Sequence, residues 1–180
     1  MISVALMFAW APLSQVMTYG CRMDECSWFK EKSRALVLRN SDGELIRFTT
    51  LEGASRHPDD RYPTHYTPRL HVRFKEVTSY VFCSHSRPSV AFHVDDGPNG
   101  AEWLAHMLDL YDLFGYNSSS AVTYLLACHG IYQHGQTLSD VARHLGYHRG
   151  TPNIQIELRK PSDLADRAFV ARAIKEAERQ

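Results

Sequence analysis

The four cysteines constrain the fold of this chain more strongly than any other feature. They are Cys21, Cys26, Cys83 and Cys128, and an even number is what a framework of disulfides requires. Four cysteines can pair in three ways. If Cys21 bonds to Cys26, Cys83 is left to bond to Cys128, which would join two distant parts of the chain. In the chain-entropy model a disulfide that closes so long a loop stabilises the fold by about 4 kcal/mol.

Two other states of the cysteines are compatible with the sequence. All four could be reduced thiols, two of them in the core, because free cysteine is among the most frequently buried residue types. A structural zinc site is the remaining alternative. The closely spaced cysteine pairs that are common in such sites do not occur in this sequence.

Residues 1–16 form an apolar segment without a charged side chain, and such a segment is typical of the core of a signal peptide. Two features are unfavourable for cleavage. No Lys or Arg precedes the apolar run, and Pro12 directly follows Ala11 at the best candidate cleavage site. A buried first strand of a cytoplasmic protein is the alternative interpretation. Together with the cysteines, this segment predicts a periplasmic or secreted protein.

Charge and hydropathy argue against two classes of partner. Twenty Lys and Arg residues balance twenty Asp and Glu residues. Nucleic-acid-binding proteins usually carry a basic surplus, because neutralising phosphates supplies much of their affinity. No apolar stretch reaches the roughly 18–20 residues that are needed to span a bilayer. We therefore expect no nucleic-acid partner and no transmembrane span.

The pattern of apolar residues changes near residues 95–100. Before this point the sequence predicts strands at 34–40, 44–50, 69–74, 79–84 and 89–94, with a hairpin turn at Asp42–Gly43. After it the sequence predicts helices at 101–115, 117–133, 137–147 and 160–180, and a strand at 153–158. This order predicts an α+β fold with an antiparallel sheet of five to six strands in the N-terminal half and three to four helices in the C-terminal half. Residues 17–180 are expected to form a single domain, strand-rich over 17–95 and mainly helical over 99–180.

The sequence TLSDVARHLGYHR, residues 137–149, contains a spaced apolar set that consists of Leu138, Val141, Ala142, Leu145, Gly146 and Tyr147. This set resembles the support helix and turn of helix-turn-helix regulators, which implies a DNA-binding function. A recognition helix should follow, but Gly150 and Pro152 interrupt the next stretch, which then alternates like a strand. In the other possible alignment of the motif, residues 121–133 would be the support helix and residues 138–145 the recognition helix. That recognition helix would offer little positive charge to DNA. We therefore expect a short core-packed helix that ends at Gly146.

The predicted hairpin at residues 83–96 carries the best candidate metal ligands. They are His85, His93 and Asp95, which could approach one another across a tight hairpin. His85 lies at the turn, however, and His93 lies at the far end of its strand. Scattered surface histidines are therefore the alternative.

The sequence offers no recognisable catalytic motif. It contains neither a G-x-S-x-G nucleophile elbow nor a glycine-rich phosphate loop. The adjacent aspartates at 59–60 and 95–96 lie in predicted turns, where such residues usually serve backbone hydrogen bonds. We assign no catalytic residue and expect no cofactor.

The polar segment between the predicted hairpins has the composition of a contact surface. It mixes aromatic and cationic side chains, namely Arg56, His57, Arg61, Tyr62, His65, Tyr66 and Arg69. The alternative is a solvated connector whose tyrosines lie on the sheet.

These observations favour an exported, disulfide-stabilised protein that acts as a non-catalytic binding or envelope-associated module, with a protein or an envelope ligand as its partner. One alternative is a cytoplasmic helix-turn-helix-like regulator that uses residues 118–149. The other is a small metal-binding or hydrolytic protein built on the 83–96 hairpin. Reduced thiols together with an uncleaved amino terminus would favour the regulator, and stoichiometric zinc would favour the metal protein.

Overall fold

A computed structural model describes residues 15–59, 61–112, 118–132 and 138–179. The predicted signal segment, residues 1–16, lies outside the described residues except for its last two positions. The seven strands are β1 (Met17–Arg22), β2 (Glu25–Asn40), β3 (Gly43–Arg56), β4 (Lys75–Cys83), β5 (Ser89–His93), β6 (Trp103–Met107) and β7 (Gln155–Leu158). The three α-helices are α1 (Ser118–His129), α2 (Leu138–His144) and α3 (Arg167–Ala177).

All seven strands belong to one antiparallel sheet, and their order in the sheet is their order in the chain. The predicted α+β class is therefore confirmed, with more strands than the five to six expected. The helices lie in the C-terminal half, as predicted, but β6 and β7 lie there too. The two longest connections between neighbouring strands lie between β3 and β4 and between β6 and β7.

The helix predicted over residues 101–115 is wrong, because Trp103–Met107 form strand β6. The apolar residues in this stretch do recur at spacings of three and four. However, β6 is buried on both of its faces, and a strand with two buried faces shows no alternation that could distinguish it from a buried helix. Tertiary pairing with β5 and β7 therefore decided the conformation of this segment.

The two faces of the sheet are covered by different helices. Helices α1 and α2 cover one face, where Phe48, Val81 and Val90 pack with the buried side of α1. The other face is covered by a short 3-10 helix (Pro161–Ala165) and by α3, which bring Leu164 and Val170 onto the sheet. The helix predicted at 160–180 is present as α3, but its predicted start is wrong, because Pro161–Ala165 form the separate 3-10 helix. Asp166 caps α3 by accepting a hydrogen bond from the Phe169 N–H.

Two disulfides brace the fold, and they are the pairs Cys21–Cys26 and Cys83–Cys128. The first joins directly opposed residues of β1 and β2. The second joins the end of β4 to α1, so it holds the helix against the sheet. All four cysteines of the chain are therefore paired.

The segment that resembles a helix-turn-helix packs as a short helix on the core. Val141 and Ala142 of α2 are buried, and residues 145–154 contain no helix before β7 begins. The recognition helix that a DNA-binding motif would need after Tyr147 is thus missing from these residues. In the described part of the chain, no helix is long and apolar enough to cross a membrane.

Candidate functional site

A groove of about 620 Å³ lies on the α1 side of the sheet, where the helix leaves part of this face uncovered. Its floor consists of residues from β1 to β6, and its wall is the first turn and a half of α1. The central floor is apolar and includes Val77, Val90 and Phe92. Val77 is 36% exposed, although it lies on an interior strand of the sheet. The fold therefore leaves an apolar strip open to solvent beside the start of a helix.

A cluster of hydrogen-bonded polar side chains closes the β1 end of the groove. The Tyr19 hydroxyl donates to Glu52 Oε1 at 3.1 Å and lies 3.3 Å from the Thr123 hydroxyl on α1. The Thr50 hydroxyl donates to the same Glu52 oxygen at 2.6 Å. Burial raises the pKa of Tyr19, and the negative charge of Glu52 raises it further. Tyr19 is therefore a neutral hydrogen-bonding group at physiological pH.

A second polar cluster lies at the β6 end of the groove, and it contains His106, Ser120 and Gln155. The Ser120 hydroxyl lies 2.8 Å from His106 Nδ1, and the Gln155 amide oxygen lies 3.1 Å from His106 Nε2. Because an amide oxygen can only accept a hydrogen bond, Nε2 carries the ring proton and Nδ1 accepts from the Ser120 hydroxyl. His106 and Ser120 are each 8% exposed, and both line the groove.

Burial lowers the pKa of His106. The hydrogen bond to Gln155 opposes this shift but does not cancel it. The imidazole is therefore neutral at pH 7, and its Nδ1 lone pair is available to accept a proton. A histidine in this state, in contact with a serine hydroxyl, is the pairing that activates a nucleophile.

Three separate elements position this second cluster. His106 and Gln155 are directly opposed in the β6–β7 ladder, so the strand register brings their side chains together. Ser120 lies in the first turn of α1, where it faces the sheet and bonds to His106. The edge of the Phe92 ring meets the His106 ring at a centroid distance of 4.8 Å. The imidazole is thus held on three sides by β5, β7 and α1.

The predicted contact surface at residues 56–69 lies beside Trp28 of β2. Tyr66 packs edge-on against Trp28 and Phe74, and the Tyr62 hydroxyl accepts a hydrogen bond from the Asp24 N–H. His57 lies 2.8 Å from the Ser55 hydroxyl. The tyrosines therefore lie against the sheet, whereas the side chains of Arg56, Arg61, His65 and Arg69 are exposed.

The strand predicted at residues 69–74 is wrong. Pro68–Leu70 form a 3-10 helix, and His71 adopts a left-handed conformation that interrupts an extended chain. The segment then passes so close to β3 that a Cβ atom on Gly53 would lie 2.6 Å from the Arg73 carbonyl oxygen. The connector lies over the sheet face instead of joining an edge.

The candidate metal ligands on the 83–96 hairpin lie at its two ends. The ring of His85 stacks on Tyr147 at a centroid distance of 4.5 Å, close to the hairpin turn. His93 is the last residue of β5, and its Nδ1 lies 3.7 Å from a carboxylate oxygen of Asp95. Among the described residues, no group of three or more His, Cys, Asp or Glu side chains is arranged to hold a metal ion.

The cluster of His106, Ser120 and Gln155 is not apparent from the sequence. The sequence predicts a helix at 101–115 that contains His106, a helix at 117–133 that contains Ser120, and a strand at 153–158 that contains Gln155. These three residues are 14 and 35 positions apart in the chain, and no motif connects them. Pairing residues 103–107, as a strand, with residues 155–158 is the step that places His106 beside Gln155.

Comparison with protein-family models finds no match, and no curated protein or solved structure is significantly similar to this chain.

Proposed function

We propose that this protein acts in an oxidising compartment as a disulfide-stabilised binding protein whose ligand occupies the groove. The observation that carries the proposal is the open apolar strip between two clusters of hydrogen-bonding side chains. Its volume of about 620 Å³ matches the size of sites for small organic molecules. A ligand with an apolar body and uncharged polar groups would bury Val77 and Phe92 and bond to the clusters at the two ends.

The pairing of all four cysteines supports a periplasmic or secreted location. Disulfides persist in oxidising compartments and are rare in the cytosol, where thiols are kept reduced. We expect the protein from cells lysed directly into an alkylating agent to gain no alkyl groups. After reduction it should gain four. Four alkylated cysteines without reduction would place the protein in the cytoplasm and contradict this part of the proposal.

The exposed cations of the 56–69 loop are proposed as a second contact surface, for a protein or envelope partner. The support is their arrangement, because packed tyrosines hold the loop and leave Arg56, Arg61 and Arg69 exposed to solvent. None of these three arginines lines the groove, so both surfaces could be occupied together.

The groove predicts a specific effect of Val77→Glu on binding of Nile red, an uncharged apolar dye. Wild-type protein should bind the dye with a blue-shifted emission, because the apolar strip removes it from water. A glutamate at position 77 places a charge in the strip and should weaken binding by about tenfold, or about 1.4 kcal/mol. Fluorescence titration measures both dissociation constants.

Val37→Glu is the matched control, because Val37 is 48% exposed on β2 and lies outside the groove. This variant should bind the dye as the wild type does. Equal affinities in the Val77→Glu variant and the wild type, or an equal loss in both variants, would mean that the groove does not hold the dye.

A further inference from the structure

We propose that Ser120 is a nucleophile that forms a covalent acyl intermediate with a carboxylic ester bound in the groove, and that His106 is its general base. This inference rests on the groove being a ligand site and adds a chemical activity to it. It starts from the hydrogen bond of 2.8 Å between the Ser120 hydroxyl and His106 Nδ1, inside a groove that can hold a small molecule.

Gln155 makes the histidine a base with a defined orientation. Its amide oxygen, 3.1 Å from Nε2, keeps the ring proton on that nitrogen, so Nδ1 faces Ser120 as an acceptor. In hydrolases that use serine and histidine, a third group has this same orienting task. Gln155 is therefore a positioning residue. It carries no negative charge and stabilises the imidazolium less than a carboxylate would, so we expect activated esters and not amides as substrates.

The start of α1 supplies the second requirement of acyl transfer, which is stabilisation of an oxyanion. Ser120 lies in the first turn of this helix. The dipole of a helix places partial positive charge at its first turn. Negative charge that develops on a carbonyl oxygen during attack by Ser120 would be stabilised by this end of the helix.

The apolar strip provides a place for the acyl group. Val90 and Phe92 lie on the groove floor, and Val90 is directly opposed to His106 in the β5–β6 ladder. An uncharged acyl chain on this strip would bring its ester carbonyl toward Ser120. The floor also contains two charged residues, Glu52 on β3 and Lys75 on β4. They lie opposite each other in the sheet, at the β1 end of the groove and away from His106.

The steps balance with water as the only co-reactant. Ser120 Oγ forms a bond to the ester carbonyl carbon while its proton passes to His106 Nδ1. The bond from that carbon to the alcohol oxygen breaks, and the leaving alcohol takes the proton from His106. Water then gives a proton to His106 and attacks the acyl carbon. The bond to Oγ breaks, Ser120 recovers the proton, and the carboxylic acid leaves.

A fluorophosphonate probe tests the nucleophile directly in the wild-type protein. Such probes phosphonylate an activated serine oxygen and release fluoride. We expect one adduct, which peptide mass spectrometry should locate on Ser120. The absence of an adduct on Ser120, or adducts only on other residues, would overturn the proposal. This result does not depend on whether any variant folds.

Hydrolysis of p-nitrophenyl butyrate tests the complete reaction. Ser120→Ala and His106→Gln should each lower the rate by about 100-fold or more, because general-base catalysis typically contributes 10²–10⁴-fold. Ser139→Ala is the matched control. Ser139 also lies in the first turn of a helix, α2, and does not line the groove. Equal rates for Ser120→Ala and the control would also overturn the proposal.

Nile red binding separates the two proposals. If the wild-type protein binds the dye in the groove but gains no adduct on Ser120, the nucleophile is wrong and the binding function stands. If the Ser120→Ala variant binds the dye normally and has lost hydrolysis, the loss arises from chemistry and not from a collapsed groove. If the dye does not bind in the groove of the wild type, the proposed binding function fails by itself.

Discussion

Replacing both Cys83 and Cys128 with alanine should lower the free energy of unfolding by about 4 kcal/mol. The two residues are 45 positions apart, and the chain-entropy model assigns that value to a loop of this length. A typical domain is stable by only about 5–15 kcal/mol, so much of the stability is at stake. The same bond ties β4 to α1, the wall of the groove. Urea unfolding of the variant and the wild type measures the difference.

The Cys21–Cys26 bond provides the matched comparison. It closes a loop of only five positions, for which the same model gives about 2 kcal/mol. A Cys21→Ala/Cys26→Ala variant should therefore be destabilised about half as much. Equal losses from the two double variants would show that loop length does not govern the contribution of these bonds.

Replacing Arg34 with leucine should destabilise the protein by about 3–5 kcal/mol. Its guanidinium makes two hydrogen bonds of 2.6 Å to Glu31, whose side chain is only 1% exposed, and donates a third to the Ala127 carbonyl on α1. Without Arg34, a buried carboxylate is left without its cation, which costs far more than the loss of one exposed ion pair. Urea unfolding at pH 7 measures this effect.

Two further variants identify the cause of that loss. The double variant Glu31→Leu/Arg34→Leu removes both charges and should recover much of the stability, because no buried charge is left unpaired. Arg143→Leu removes one member of an exposed pair with the same three-residue spacing, Asp140–Arg143, and should cost less than about 1 kcal/mol. A double variant that is less stable than Arg34→Leu alone would refute the buried-charge explanation.

Local signals in the sequence predicted the elements that depend on neighbouring residues. The turn at Asp42–Gly43 is one example, because the Asn40 side chain accepts hydrogen bonds from the N–H groups of both residues. The strand at 155–158 shows alternation because only one of its faces is fully buried. The short helix α2 ends near Gly146, which adopts a positive φ of 76°. In each case a few adjacent side chains specify the backbone.

The candidate site could not be predicted in this way, because no part of it is local. His106 belongs to a strand whose two buried faces conceal its period, and its partner Gln155 is set by the register of β6 and β7. Ser120 reaches them only after α1 has packed on the sheet.

The sequence by itself determined the α+β class and most strands and helices, because these follow from local periodicity and turn chemistry, whereas it left the pairing of the four cysteines open. Only the tertiary structure decided the conformation of residues 103–107, the open strip beside α1, and the meeting of serine, histidine and glutamine. These features depend on strand register and helix placement, which arise from contacts between residues far apart in the chain.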